Sequence, residues 1–205
     1  MEFRNNIISH PQVKFPYSKG IGSILYEKML EAQSAIAQID DHSGQIDTYQ
    51  TLLERCIRTA KGMRSSNVSA GDVTVIHSHN HINAVVPLIA SYFLGAIPAI
   101  IDYGLPLNST IQLLAKVLPR IAFTNASGVD KLSTATRKLG LTTEVVNFDK
   151  FTNFISPFTS DDFAPIDIKN LDQPAAIFFT SGTTGVPKKI CLSHKLLLSS
   201  IINLQ

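Results

Sequence analysis

Cysteine occurs only twice in the 205 residues, at Cys56 and Cys191, so no disulfide framework is available. Both lie in apolar stretches, Cys56 on a helix-like face and Cys191 in a strand-like run, and are expected as small core residues. The amino terminus has prolines and polar residues where a signal peptide would have an apolar segment. No apolar run reaches membrane-spanning length. Charge is sparse: 17% of residues are charged and the net charge is +2. Lysines and arginines are scattered and not interleaved with aromatics, which argues against nucleic acid and for solvated surface. An intracellular, soluble protein is the expectation, and the Asn-x-Ser/Thr triplets at Asn67, Asn108 and Asn125 carry little meaning as glycosylation sites. Neither an internal repeat nor a low-complexity tract occurs. With 44% hydrophobic residues, the chain is long enough for one sizeable core or slightly more.

What the sequence does contain is one dense polar loop between two apolar runs. Ile177-Phe178-Phe179 leads in, Thr180, Ser181, Gly182, Thr183, Thr184 and Gly185 follow, Pro187 closes the loop, and Lys188 stands behind it before Ile190-Cys191-Leu192. Glycines let backbone N–H groups approach an anion, hydroxyls add rotatable donors, and lysine adds a point charge. The combination reads as a phosphate cradle and exceeds what a turn requires. It is not the nucleoside-triphosphatase P-loop, G-x-x-x-x-G-K-[ST]. Five residues after Gly182 stands Pro187, and Lys188 is followed by Lys189. Both flanks are extended, so the loop is expected to join an antiparallel hairpin and not a strand and helix, unlike an arrangement in which a helix amino terminus faces the phosphate.

Thr180-Ser-Gly-Thr-Thr-Gly-Val-Pro-Lys188 resembles the phosphate-loop signature of the adenylate-forming superfamily. Cys191-Leu-Ser-His194 after it is similar to the branch of acyl-CoA synthetases, 4-coumarate–CoA ligases and luciferases. The resemblance implies that Thr180, Ser181, Gly182, Thr183, Thr184, Gly185 and Lys188 hold the β- and γ-phosphates of ATP. It also implies Mg²⁺ as cofactor, a carboxylic acid as substrate and, for a full-length parent, coenzyme A. Two steps follow from it: attack of the carboxylate on the α-phosphate, then displacement of AMP by a thiol. Elements that family members carry after this loop are not in these residues, so the resemblance implies an incomplete amino-terminal domain over 19–205, inactive alone. No catalytic residue is assigned. The alternative is a non-catalytic short isoform or remnant with weak or no nucleotide binding. Members of this branch often carry a peroxisomal Ser-Lys-Leu terminus, and this chain ends Ile-Asn-Leu-Gln.

The remainder of the chain reads as α/β: a helix-covered, largely parallel sheet. Residues 1–18, with prolines at 11 and 16, form an irregular arm. Ile21, Ile24, Leu25 and Met29 recur at helical spacing. Ala35–Asp40 and Gln45–Thr48 flank a turn as a hairpin. Tyr49, Leu52, Leu53, Cys56, Ile57, Ala60 and Met63 form one apolar helical stripe with Thr48 as N-cap. Strands are expected at 73–76, 98–102, 120–124 and 144–148. Helices are expected at about 82–94, starting late near Asn83 or bending because of Pro87, at 108–117 with Asn108-Ser109-Thr110 as cap, at 127–139 and from His194 to Leu204. Residues 149–173 break the alternation and read as a long surface connection or a seam between sheets.

Two features sit beside the loop. His77-x-His79-x-His81 would share one face of a strand and could bind metal, but the residues straddle a strand end and have no acidic partner at helical spacing. They read as loop histidines at a pocket mouth, and no metal site is assigned. Ser181 lacks the G-x-S-x-G context of a nucleophile elbow. Position 189 is usually Gly in the family and is Lys here. If the position needs a positive φ, lysine costs about 1 kcal/mol or more; if it opens a strand, lysine is harmless.

Overall fold

The computed structural model describes residues 2–4, 7–9, 16–41, 43–180 and 187–202. The amino-terminal arm is more regular than expected. Strands β1 (Glu2–Arg4) and β2 (Ile7–Ser9) pair antiparallel in their own two-stranded sheet. Helix α1 (Ile21–Ala32) follows, its first amide accepted by His194 Nδ1 at 3.2 Å. The expected hairpin forms from β3 (Ile36–Ile39) and β4 (Ile46–Thr48). It runs directly into α2 (Tyr49–Ser65), where Thr48 Oγ1 accepts the amide of Thr51 at 3.3 Å, one of the orphan donors of a helix start. The apolar stripe of α2 is buried from Leu52 to Met63, with Cys56 fully enclosed and its thiol pushed up by burial.

Alternation then builds the main sheet from β5 (Val73–His77), α3 (Val85–Phe93), β6 (Ile97–Ile100), α4 (Leu107–Val117), β7 (Ile121–Thr124), α5 (Val129–Lys138) and β8 (Glu144–Asn147). Helix α3 begins at Val85, which places Pro87 in the first turn, where its missing N–H leaves no bond unmade. The cap expected at Asn108-Ser109-Thr110 is not used. Pro106 is the N-cap, those residues lie inside α4, and the buried Thr110 hydroxyl donates to Pro106 O at 3.2 Å. Helix α5 is preceded by a 3-10 turn over Ala126–Gly128, so it starts two residues later than Ser127 suggested.

Residues 149–173 are not merely a surface connection. After a 3-10 turn at Phe148–Lys150 comes α6 (Phe151–Ile155), and Phe148, Phe151 and Ile155 are buried. Phe123, Phe148, Phe151 and Phe154 make edge and stacked ring contacts at 5.8–6.4 Å. Arg58 of α2 binds this segment by donating to the carbonyls of Ile155 (3.2 Å) and Phe158 (2.8 Å). Aromatics that look scattered in sequence converge because a short helix folds them onto one face of β7.

The chain ends in β9 (Pro174–Thr180), β10 (Lys188–Ser193) and α7 (His194–Ile202). The sheet order is β10-β9-β6-β5-β7-β8, parallel throughout except for the antiparallel β9–β10 pair. Alternate residues of each strand feed two cores. Ile121 and Phe123 pack with α2, α3 and α6, whereas Val75, Ala99, Ala122 and Ile177 pack with α4 and α5. Cys191 departs from expectation: it is exposed on β10, the outermost strand. Among the described residues no helix is long and apolar enough to cross a membrane.

Candidate functional site

Strand β5 lies between β6 and β7: the chain passes from β5 to β6 through α3 on one face of the sheet, then crosses back past β5 to β7 through α4 on the other. In sheets of this kind the carboxyl ends of strands around such a reversal form a crevice for ligands. A cleft of about 530 Å³ lies at that edge, bounded by Ser78 after β5, Asp102 and Tyr103 after β6, and Phe179, Thr180 and Pro187 at the mouth of the β9–β10 hairpin. Thr180 and Pro187, the described residues on either side of the singled-out loop, line the cleft, and Lys188 is the register partner of Thr180. Ser181, Gly182, Thr183, Thr184 and Gly185 lie outside the described residues. Lys189 sits in β10 opposite Phe179 and is not among the residues with positive φ, so a side chain there is harmless.

The floor behind the cleft is a polar cluster. Ser78 Oγ lies 2.6 Å from Asn125 Oδ1, joining the ends of β5 and β7. Below it His77 is fully buried. Thr124 Oγ1 donates to His77 O at 2.7 Å, so at 3.2 Å it accepts from His77 Nδ1–H. His77 Nε2 is then a bare acceptor, and it has no partner. Burial, with a smaller push from the Lys131 cation, lowers the imidazole pKa to about 4. Tyr103 covers it, its ring 5.2 Å from His77 and 5.3 Å from His79. Lys131 of α5 lies 5.0 Å over the Tyr103 ring and donates to the carbonyls of Tyr103 (2.8 Å) and Leu105 (3.0 Å), while Asp102 Oδ1 accepts the amide of Gly104 (2.9 Å). Tyr103 Oη also donates to Ser127 Oγ at 2.5 Å, so the β6–α4 loop that walls the cleft is held by hydrogen bonds and a cation–π contact.

A second cavity, about 520 Å³, opens on the other side of Ser78 and Ile100, lined by Gln38, Asp40, His79, Asn80 and His81. The three histidines do not share a face: His77 is interior, His79 exposed, and His81 stacks on Phe148 at 5.1 Å. Among the described residues no group of His, Cys, Asp and Glu could hold a metal ion. His79 and His81 do stand at a cavity mouth, as expected of loop histidines. The wall of this cavity is fixed by a buried pair. Arg55 bonds to Asp47 and Asn83, and Gln38 Nε2 donates to Asp47 Oδ2 (2.6 Å) and Ile82 O (3.0 Å). The sequence gives no sign of a site role for Tyr103, Lys131, Asn125 or Arg55. Each is recruited by a partner far along the chain, and no local spacing signals that.

The sequence profile of the family described as AMP-binding enzyme matches residues 27–205. Luciferin 4-monooxygenase of Photuris pensylvanica is 28% identical over 211 aligned residues, taking in 93% of this chain and 38% of that protein. The structure of the luciferase-like enzyme from the nonluminescent mealworm Zophobas morio superposes with a TM-score of 0.80 at 31% identity, covering 86% of this chain and 43% of that one. ATP-bound MatB from Rhodopseudomonas palustris superposes with a TM-score of 0.78 at 25% identity, covering 89% and 37%. The chain therefore spans about two fifths of the length of these relatives.

Proposed function

The chain belongs to the AMP-binding enzyme family, and on that premise we propose that Thr180, Ser181, Gly182, Thr183, Thr184, Gly185 and Lys188 hold the β- and γ-phosphates of ATP. The reaction they serve is the adenylation of a carboxylic acid on the way to a coenzyme A thioester. The observation that carries the reading is that Thr180 and Pro187, on either side of the loop, line the switch-point cleft, with Lys188 paired to Thr180. The residues that flank the loop therefore stand where a nucleotide would lie in a sheet of this topology. Likeness to an ATP-bound structure supports the nucleotide.

In the reaction a carboxylate oxygen bonds to the α-phosphorus and the bond to the bridging oxygen breaks, releasing pyrophosphate. A thiol then attacks the acyl carbon and AMP leaves. The loop's part is electrostatic: amides, hydroxyls and the Lys188 ammonium stabilise the charge that builds on the departing pyrophosphate. Among the described residues no group of three or more His, Cys, Asp and Glu could hold a metal ion without the nucleotide's own phosphates, and no step is assigned to magnesium. Because the relatives extend far beyond the matched region, we assign binding, and not turnover, to residues 1–205.

Titration calorimetry of the purified chain with ATP tests this. Lys188→Met should weaken binding about tenfold or more, the worth of a charge-assisted hydrogen bond. Equal affinity for wild type and variant would remove Lys188 from the site. Carboxylate-driven exchange of pyrophosphate into ATP should be absent, and its appearance would overturn the assignment of binding without turnover.

A further inference from the structure

We propose that Lys116 and Lys189 form a reciprocal clamp that positions the carboxyl foot of the loop and leaves Lys188 for the anion. The inference rests on the phosphate-loop reading above for its functional consequence, and on geometry alone for the clamp itself. Lys116 Nζ, in the last turn of α4, donates to Pro187 O at 2.7 Å. In return Lys189 Nζ donates to Lys116 O at 3.3 Å. Pro187 has no amide hydrogen, so its carbonyl is the one backbone group by which the final residue of the loop can be tied. Lys116 O is among the last four carbonyls of α4, which have no intrahelical donor. An ammonium group there also meets the negative end of the helix dipole.

The alternation of β10 divides the two neighbouring lysines. Lys189 shares a face with its register partner Phe179, which packs on the core that contains Leu113, Leu114 and Val117 of α4. Lys188 shares the opposite face with its partner Thr180. One lysine is thus turned toward the helix and used as an anchor. The other is turned away from it. Both clamp bonds end on carbonyls, and among the described residues neither lysine pairs with a carboxylate. The positive charge of the clamp is therefore not cancelled, and it adds to the field that an entering polyphosphate meets. A glycine at position 189 would supply neither anchor nor charge.

The test compares Lys116→Met, Lys189→Met and Lys189→Arg with wild type, and uses Lys188→Met to probe the loop reading separately. Amide hydrogen exchange over the β9–β10 hairpin reads the clamp without any ligand. Both Met variants should exchange faster near Pro187 by a factor of about three to ten, the worth of one exposed hydrogen bond. Lys189→Arg, which keeps a donor and a charge, should stay near wild type. The double Met variant should exchange little faster than either single one, since each half of a reciprocal pair depends on the other. Affinity for inorganic triphosphate should fall in both Met variants while the thermal midpoint stays put, a split that loss of global stability would not give. Unchanged exchange in both Met variants overturns the clamp. If wild type binds no triphosphate, or Lys188→Met binds it as well as wild type does, the loop reading fails, and the exchange data still decide the clamp.

Discussion

At the scale of single residues, His77 has the clearest consequence. The side chain is interior, one ring nitrogen is bonded to Thr124 and the other has no partner. Burial is the main cause of its depressed pKa, about 4 against an ordinary 6.5, with Lys131 adding to the effect and Asp102 opposing it. A proton is therefore bound more weakly in the folded chain than in the unfolded one. Stability is complete above pH 6.5 and declines as pH falls toward 4, because only the unfolded state takes up the proton in that window. The whole loss amounts to roughly 3 kcal/mol from the displaced titration. His81 and His194 are lowered by burial too and act in the same direction. His77→Leu should flatten the dependence of unfolding free energy on pH between 6.5 and 4, measured by urea titration at several pH values. A variant curve parallel to wild type would show that His77 is not the group responsible.

At the scale of elements, α1 meets α3 through the Tyr26–Phe93 ring pair and, at Gly22, backbone against backbone. A Cβ on Gly22 would lie 2.1 Å from Tyr92 O and 2.6 Å from Tyr92 C, at the end of α3, where no side chain can rotate away. Alanine in an exposed helix would stabilise by about 1 kcal/mol over glycine. Here Gly22→Ala should instead destabilise by about 1–3 kcal/mol, because the helices must separate. The sign of the shift in the urea midpoint is the test, and a rise would mean that α1 does not cross α3 so closely. The same comparison shows which elements were readable from sequence. Helix α2 was, with its cap and its stripe, because its signals are local and periodic. So were β5 to β8 and the helices between them, and the hairpin that carries Thr180 and Lys188. Helix α6 was not, because five residues are too few to show a period and its phenylalanines gain meaning only against Phe123. Cys191 was misread for a related reason: its strand-like surroundings do not reveal that β10 is the sheet's edge. Of the candidate site, the loop was legible as a string of small donors, while its cleft wall of Tyr103 and Lys131 depends on contacts across 28 residues.

At the scale of the whole molecule, one face of the main sheet is left partly open. Ala99 is level with Ile177, which sets Ile100 beside Phe178, and Phe178 is the register partner of Ile190. The three form a row across β6, β9 and β10, exposed by 39%, 38% and 40%. Beyond the row, β10 pairs only with β9, so its outer backbone groups meet no further strand among the described residues. An apolar row that ends at an unpaired edge is the arrangement that draws sheets together. Lys188 and Lys189 guard one end of that strand, but Ile190 and Cys191 at its middle are uncharged and exposed. Purified residues 1–205 should therefore associate reversibly as concentration rises, visible as a growing sedimentation coefficient. Ile190→Lys combined with Phe178→Thr should return the protein to a monomer, since a charge at the edge opposes pairing and the row loses its central ring. The variant should keep a cooperative unfolding transition, because neither side chain lies in the buried cores. If wild type stays monomeric at every concentration tested, this face is not adhesive, and the open row and edge have no bearing on how the chain behaves in solution.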